Sequence, residues 1–324
     1  AIFMLNDTHR LALGTAALSG LYRPVSHSAV QDVLNSAWDN GIRYFDTAPH
    51  YGNGASEGLL GEFLRDREGW VLSTKVGRVL TPDPNPPEVI NGFHNAWPLK
   101  QHFDFTYDGI MRSVEDSFQR LGLNRIDILF VHDIGDPDAG TDTKHHRSQL
   151  LDSGVKALEE LKADGTVKAV GLGVNTVGIC EELLGQFEMD LILLAGRYTL
   201  LDQSARVRLF PLLRQHEVRL VIGGVFNSGI LATGPRPGAH YNYAPASPEI
   251  LEKVANIEAV CAQHDTALPA AAIQYPDQHP LVASTLIGTT KATSLKRNIA
   301  QFNTPVPAAL WDDFITHGMI AADQ

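Results

Sequence analysis

Three residues that can hold or move a proton each stand directly after a short apolar run of the sequence: Asp46, Lys75 and His132. Short runs rich in β-branched and aromatic residues predict buried strands, so we expect all three side chains at strand C-termini. Tyr51 comes five residues after Asp46, in the loop formed by residues 49–54. A carboxylate, a phenol, an ammonium and an imidazole can together transfer a proton to or from a bound substrate. The sequence therefore predicts a proton-transfer site assembled from strand ends.

Strand-like runs and amphipathic helices alternate along most of the chain, and they predict the elements that must position these residues. Eight runs are expected as strands: residues 11–15, 42–45, 70–74, 126–131, 167–174, 191–194, 218–222 and 282–287. Apolar residues recur at helical spacing in seven segments between and after them: residues 29–38, 111–121, 151–161, 177–184, 205–216, 248–263 and 293–299.

This alternation favours a parallel sheet, because a helix between successive strands makes a right-handed crossover. A doubly wound open sheet is the alternative, but its first strand should lead into Gly-x-Gly-x-x-Gly, and residues 13–20 lack that spacing. The sequence therefore predicts an α/β protein with a closed (β/α)8 TIM barrel. In such a barrel the strand C-termini share one face, which is where catalytic residues lie.

Two segments are too long for plain connections, residues 78–106 and residues 224–248. Both contain clustered proline or glycine and both follow predicted strand C-termini, so we expect them over the catalytic face. No repeat or low-complexity linker interrupts the chain, and a mass of 35.3 kDa is within the usual size of one barrel. We therefore expect a single domain over residues 1–324.

Composition narrows the classes of partner. The formal net charge is -11 with a pI near 5.6, so neither a nucleic acid nor an anionic membrane would attract the protein. The chain has no apolar run long enough to span a bilayer and no evident signal sequence, which predicts a cytoplasmic protein. We expect it to act on a small molecule, as a monomer or weak homo-oligomer. Cys180 and Cys261 lie in apolar segments and are expected as buried thiols. The histidine spacing does not match a zinc site, so no metal is expected.

Four blocks of the sequence resemble the signature of the aldo-keto reductase family: residues 41–61, 73–78, 131–133 and 288–291. The resemblance implies a (β/α)8 barrel and a role for each proton-active residue. Tyr51 would be the proton donor or acceptor, Lys75 and Asp46 the pair that tunes it, and His132 the residue that orients the substrate. Taken alone, an Asp–Lys pair is also typical of a structural ion bridge. A lysine at the end of a barrel strand is also typical of a Schiff-base aldolase.

Electrostatics predicts that Lys75 makes Tyr51 more acidic. An unperturbed tyrosine has a pKa of about 10, so about 0.1% is ionised at pH 7. One ammonium at about 4 Å, with an effective dielectric constant of about 20, stabilises a phenolate by about 4 kcal/mol, which is equivalent to about 3 pKa units. Asp46 would hold Lys75 charged and in place while cancelling part of its field. We therefore expect the pKa of Tyr51 to be lowered.

The resemblance implies a nicotinamide cofactor bound without a Rossmann motif, with phosphate near the helix that follows the last strand. It assigns these residues to the cofactor: Gly14, Asn175, Gly224, Val225, Phe226, Asn227, Ser228, Gly229, Gly288, Thr289, Thr290, Lys291, Ser294, Arg297 and Asn298. The family positions that usually hold a lysine and an arginine on the adenosine 2′-phosphate correspond to Gly288 and Ser294, so NAD is expected. NADP stays the alternative, because Lys291, Lys296 and Arg297 are close in sequence. Gly223 stands where the family often stacks a tyrosine on the nicotinamide, with Phe226 or Tyr198 as possible replacements.

Residues 194–201 and 223–231 are similar to the branch of the family that oxidises sugars at the anomeric carbon. This implies NAD-dependent oxidation of the hemiacetal hydroxyl of an aldose, such as L-fucose, to the lactone, with pyridoxal and 4-pyridoxolactone as the alternative pair. The loop residues His94, Trp97 and Tyr241 are expected as substrate contacts, Trp97 by stacking on a pyranose face. Two further alternatives stay open, an NADPH-dependent carbonyl reductase and a non-catalytic nucleotide-binding regulatory subunit.

Overall fold

The computed structural model describes residues 5–322, and strands and helices alternate through them as the sequence predicts. The strands, in chain order, are β1 (Leu11–Gly14), β2 (Tyr44–Asp46), β3 (Val71–Val76), β4 (Arg78–Pro82), β5 (Leu99–Phe103), β6 (Ile128–His132), β7 (Ala169–Val174), β8 (Leu191–Ala195), β9 (Arg219–Gly223), β10 (His240–Tyr241), β11 (Ala244–Pro245) and β12 (Val282–Ile287). Eight of them close a barrel in the order β1-β12-β9-β8-β7-β6-β3-β2. Each neighbouring pair in the barrel is parallel, which confirms the TIM barrel.

Helices surround the barrel, and each of the seven predicted segments overlaps helical structure. They are α1 (His27–Asp39), α2 (Ala55–Leu64), α3 (Tyr107–Leu121), α4 (Lys144–Gln149), α5 (Val155–Ala163), α6 (Val177–Leu183), α7 (Ser204–Gln215), α8 (Ile230–Thr233), α9 (Pro248–Gln263), α10 (Leu268–Gln274), α11 (Ala292–Asn303) and α12 (Ala308–Thr316). Within residues 5–322, no helix is long and apolar enough to cross a membrane. Cys180 and Cys261 are buried and form no disulfide, as expected.

The sequence pattern missed five of these helices, α2, α4, α8, α10 and α12. Of these, α2 and α10 lack a single apolar stripe. In α2 the buried positions recur at helical spacing, but they include Glu57 and Gly61 as well as Phe63, so the buried face is not an apolar stripe. In α10 nearly every residue from Leu268 to Ile273 is buried. A helix that is covered on all sides gives no amphipathic signal to read.

Residues 78–106, which the sequence suggests as one long loop, contain the hairpin β4–β5. Its strands pair in antiparallel register, with Val79 opposite His102. The proline-rich segment between the two strands hides the short alternating pattern on either side of it. Asn91 and Phe93 from that segment line a cavity above the strand ends, and Tyr243 reaches the same cavity from the second long segment. Both segments therefore lie over the catalytic face, as predicted.

The barrel interior changes from apolar to polar as it approaches that face. Residues two apart on a strand point to the same side, so Tyr44 and Asp46 on β2 both face inward, as do Ser73 and Lys75 on β3. The Tyr44 hydroxyl lies 3.0 Å from Ser73 Oγ, and Ser73 Oγ donates to Asp46 Oδ1 at 2.6 Å. All four side chains are buried. The β2–β3 pairing thus sets the acidic and basic groups against each other in the barrel.

A close contact between helices α2 and α3 leads to a stability prediction. A Cβ atom at Gly61 on α2 would lie 1.9 Å from the backbone oxygen of Leu121 at the end of α3, so the two helices would have to move apart. We expect Gly61→Ala to lower the free energy of unfolding by about 1 to 3 kcal/mol, despite the better helix propensity of alanine. Gly178 on α6 has no atom within 4 Å of such a Cβ, so Gly178→Ala is the matched control and is expected to stabilise by up to about 1 kcal/mol. Urea denaturation measures both, and equal shifts in the two variants would refute the close packing.

Candidate active site

The ammonium of Lys75 is the centre of the site, and all three of its hydrogens have an acceptor. Lys75 Nζ donates to Asp46 Oδ2 at 2.7 Å, to the Thr47 carbonyl oxygen at 2.9 Å and to Tyr51 Oη at 3.1 Å. An ammonium has three hydrogens and no lone pair, so Tyr51 must accept from Lys75. The phenolic hydrogen of Tyr51 is therefore free to point elsewhere, toward the cavity that its side chain lines.

Lys75 and Asp46 form a buried ion pair rather than a reactive amine beside an acid. Burial alone would lower the pKa of Lys75, but Asp46 and Tyr51 outweigh it and raise that pKa. Burial raises the pKa of Asp46, while Lys75 and the hydroxyl of Ser73 counteract the rise. Two donors on separate oxygens favour the carboxylate form. A lysine held as ammonium by three acceptors is a poor Schiff-base nucleophile, so the geometry disfavours the aldolase alternative.

The expected lowering of the pKa of Tyr51 is wrong for the protein without ligands. Burial raises the pKa of Tyr51, and Asp46 adds to the rise, although Lys75 opposes both. The sequence argument counted the ammonium and left out the cost of removing a phenolate from water, which opposes the gain from Lys75. Tyr51 is thus a protonated phenol at rest, with its oxygen already hydrogen-bonded by Lys75.

His132 stands beside Tyr51 as a neutral imidazole. The two ring centroids are 6.0 Å apart in an edge-to-face arrangement. Burial, the guanidinium of Arg78 and the ammonium of Lys75 hold the pKa of His132 well below its ordinary value. A neutral imidazole keeps one N–H donor and one acceptor, so His132 can orient a substrate oxygen without adding charge to the cavity.

A cavity of about 510 Å³ opens above these residues, and Asp46, Tyr51, Lys75 and His132 all line it. The structure therefore brings together the three predicted strand-end residues and the loop residue Tyr51. Its wall also includes residues that the sequence argument did not single out: Leu21, Tyr22, His50, Asn91, Phe93, Asp133 and Tyr243. They come from loops, where no periodicity marks them, although His50 directly precedes Tyr51 and could have been noticed for that position. Asp133 accepts from Arg78 at 2.8 Å and is bound in a buried ion pair.

None of the three predicted substrate contacts lines this cavity. Trp97 packs on α2 instead, where a Cβ at Gly58 would lie 2.7 Å from its ring, so the predicted stacking on a sugar is wrong. His94 is exposed, and its backbone N–H donates to the Gly20 carbonyl at 2.9 Å. Tyr241 lies on β10, while its neighbour Tyr243 reaches the cavity. The two long segments that carry these residues reach the cavity as predicted, but the sequence alone does not tell which of their side chains turn inward.

Some of the residues predicted to bind the cofactor line the cavity and others do not. Gly14, Asn175, Gly224 and Gly288 line the cavity, together with Gly223. Gly14 and Gly288 bring their backbones close together, since a Cβ at Gly288 would lie 3.3 Å from the Gly14 carbonyl oxygen. A surface made largely of backbone suits a flat or anionic group that must approach closely. Residues 289–298 run from Gly288 into the first turns of α11.

The segment after Gly224 turns its side chains away from the cavity. Val225 is buried in the core, and Asn227 is buried with its amide bound to Thr199 and Gly196. Ser228 Oγ accepts from the backbone N–H of Tyr243 at 2.9 Å. Neither Phe226 nor Tyr198 lines the cavity, and Tyr198 packs against Phe210 and Tyr275, so neither replaces a stacking tyrosine in this arrangement. Residues 225–229 do not line the cavity, so their role in binding a cofactor stays a prediction.

Comparisons with known proteins agree with this geometry. The model of the Aldo/keto reductase family matches residues 10–315. Pyridoxal 4-dehydrogenase of Microbacterium luteolum is 43% identical over 96% of this chain and 94% of its own length. D-threo-aldose 1-dehydrogenase of a Pseudomonas species is 40% identical over 93% of this chain and 91% of its own. Among solved structures, an aldo-keto reductase of Bacillus halodurans in its holo form has a TM-score of 0.73 at 23% identity, covering 97% of this chain and 93% of that one.

Proposed function

Because the chain belongs to the aldo/keto reductase family, we propose that it is an NAD-dependent dehydrogenase that oxidises the hemiacetal hydroxyl of a cyclic substrate to a lactone. The proposed substrate is an aldose such as L-fucose, and Tyr51 is the proposed proton acceptor. The observation that carries the proposal is the set of three hydrogen bonds that Lys75 Nζ donates, to Asp46, Thr47 and Tyr51. Because Tyr51 Oη accepts from Lys75, its own hydrogen is free for exchange with a group in the cavity.

The protein's own residues account for the proton part of this reaction. Oxidation uses the phenolate form of Tyr51, whose own proton has already left to solvent. The substrate hydroxyl lies against Tyr51 Oη and His132, and as its carbon gives up a hydride the hydroxyl proton passes to the phenolate oxygen of Tyr51. Lys75 holds Tyr51 Oη through its N–H, so negative charge on that oxygen is stabilised while the proton moves. His132 fixes the substrate oxygen from the other side. The reverse direction runs the same steps with Tyr51 as the donor.

The residues present fit a nicotinamide cofactor. When bound, the cofactor supplies the acceptor for the hydride. The glycines at the cavity wall leave room for a close approach of its flat and anionic parts, and the start of α11 offers backbone N–H groups to a phosphate. Gly288 and Ser294 bring no cation to a 2′-phosphate, which supports NAD. Arg23 comes from a distant part of the chain, and its Nη2 lies 3.5 Å from Thr290 Oγ1. One cation therefore does lie near residues 288–294.

Pyridoxal is a second candidate substrate, and the 43% identity to a pyridoxal 4-dehydrogenase favours it. The internal hemiacetal of pyridoxal presents the same reacting group as an aldose, a hydroxyl on a carbon that also carries a ring oxygen. The cavity wall is partly apolar and aromatic, with Leu21, Phe93 and Leu286, which suits either ring. The proton chemistry at Tyr51 is the same for both.

A substrate panel tests the proposal. L-Fucose, D-arabinose, L-galactose and pyridoxal are each assayed for oxidation with NAD and with NADP, and simple aldehydes and ketones are assayed for reduction with NADH and with NADPH. The expected result is lactone formation with NAD from at least one of the four, at a higher kcat/KM than with NADP. Turnover confined to NADPH-dependent reduction of simple carbonyls would identify a carbonyl reductase instead.

The direction of the Tyr51 shift leads to a pH prediction. Burial raises the pKa of Tyr51, so the phenolate is scarce at neutral pH. As long as the pH stays below that pKa, each increase of one pH unit raises the phenolate fraction about tenfold. We expect kcat/KM for oxidation to rise steadily between about pH 6 and pH 10, while reduction, which uses the protonated phenol, shows no such rise. Initial rates in both directions measure this. A flat oxidation profile would contradict proton transfer to Tyr51.

A further inference from the structure

His50 is a second imidazole in the cavity, and the proposed proton transfer does not use it. Its ring centroid lies 5.8 Å from that of His132, 6.2 Å from that of Tyr51 and 5.5 Å from that of Phe93. The ring lines the cavity on the side of the β4–β5 segment. Burial and the guanidinium of Arg78 lower the pKa of His50 to about 4, so the ring is neutral at physiological pH. Its role then depends on which ring nitrogen carries the hydrogen.

A chain of hydrogen bonds settles that question. Asn53 Nδ2 donates to the Leu99 carbonyl oxygen at 2.6 Å, and a carbonyl can only accept. Asn53 Oδ1 therefore faces Gln101, whose Nε2 donates to it at 2.8 Å. The same Gln101 Nε2 lies 2.9 Å from His50 Nδ1 and has a second hydrogen to give, whereas Gln101 Oε1 lies farther from that nitrogen, at 3.2 Å. His50 Nδ1 thus accepts, which leaves the hydrogen on Nε2.

The Nε2–H of His50 is then a donor at the cavity, held in direction by its own hairpin. Gln101 lies on β5 and fixes the ring through Nδ1, as a partner on one imidazole nitrogen fixes the tautomer of the other. With His132 and Tyr51 on the reacting hydroxyl, His50 faces the next group along the substrate. Buried donors that meet a substrate oxygen discriminate strongly against analogues that lack it.

We propose that His50 Nε2 donates a hydrogen bond to the substrate oxygen that neighbours the reacting hydroxyl, and that His50 thereby selects the substrate. That oxygen is O-2 of an aldose or the phenolic oxygen of the pyridoxal hemiacetal. This inference rests on the proposed function. It gives the β4–β5 hairpin a part in specificity through Gln101.

The test compares each substrate with an analogue that lacks only this oxygen: the 2-deoxy sugar for an aldose, or 3-deoxypyridoxal for pyridoxal. In the wild type, kcat/KM is expected to fall by about 10- to 100-fold with the analogue. In His50→Phe the parent substrate should lose about tenfold, and the ratio of parent to analogue should shrink by about the same factor. His50→Gln keeps an N–H donor and should retain part of the ratio. His102→Phe changes an exposed histidine on β5, next to Gln101; it is the matched control and should leave the ratio unchanged.

The outcomes separate the two proposals. A ratio that stays the same in His50→Phe overturns the inference while leaving the dehydrogenase proposal intact. A wild type that oxidises neither an aldose nor pyridoxal overturns both. Nitrogen-15 NMR of the imidazole, assigned by loss of its signals in His50→Gln, reads the tautomer independently of activity. A hydrogen found on Nδ1 contradicts the donor role of Nε2.

Discussion

Replacing Tyr51 by phenylalanine is expected to lower kcat/KM for oxidation by about 10³-fold, within the range of 10² to 10⁴ typical of a positioned acid–base group. The change removes one oxygen, which accepts a hydrogen bond from Lys75 Nζ and belongs to a side chain that lines the cavity. The fold should survive, because the ring stays in its contacts with His50, Phe93 and His132. Initial rates with NAD and the preferred substrate of the panel measure the loss.

The same variant distinguishes an enzyme from a binding module. A nucleotide-binding regulatory subunit would keep its cofactor affinity and have no rate to lose, whereas a dehydrogenase should keep the affinity and lose the rate. Cofactor titration by fluorescence supplies the second readout. Tyr107→Phe, on α3 with its hydroxyl bound to Glu160, is the matched control for loss of a phenolic oxygen away from the cavity. A Tyr51→Phe protein as active as Tyr107→Phe would refute the assignment of Tyr51.

Replacing Lys75 by methionine is expected to damage both stability and activity. It leaves the carboxylate of Asp46 buried without its cation, and breaking a buried pair in this way costs about 3 to 5 kcal/mol. It also removes the donor that stabilises charge on Tyr51 Oη, so kcat/KM should fall by at least about 10²-fold. Chemical denaturation and initial rates give the two effects separately.

Two comparisons isolate the cause of these losses. In the double variant Asp46→Asn with Lys75→Met neither charge of this pair remains, so stability should partly return while activity does not. Lys162 pairs with Asp190 at 2.8 Å in a more exposed position, and Lys162→Met should cost under about 1 kcal/mol. If Lys75→Met is no less stable than Lys162→Met, Lys75 and Asp46 do not form the buried pair described above.

The strand ends explain why the catalytic residues could be predicted from the sequence. Asp46, Lys75 and His132 follow apolar runs, and a parallel barrel brings such positions to one face whatever the details of packing. The runs are marked by residue type alone. The fold and the four candidate site residues therefore followed from local pattern and motif, whereas the register of β2 against β3 was not predicted.

The remaining features depend on packing that a linear pattern does not contain. The Trp97 ring packs against α2 rather than over the cavity because Gly58 on that helix leaves space for it. The pKa of Tyr51 depends on how completely the phenol is buried, and this outweighs the nearby ammonium. His50 became a candidate only once Asn53 and Gln101 were seen to orient it. Each of these rests on contacts between segments that are distant in the chain.

The most direct test of the central claim follows the hydrogen on the reacting carbon. An aldose deuterated at C1, or pyridoxal deuterated at its hemiacetal carbon, is incubated with the wild type and NAD, and the products are analysed by mass spectrometry. Oxidation of the hemiacetal through Tyr51 predicts one lactone and one deuterium-bearing reduced cofactor per turnover, with both nearly abolished in Tyr51→Phe. Reduced cofactor without deuterium, or no lactone from any of the deuterated substrates, would contradict it.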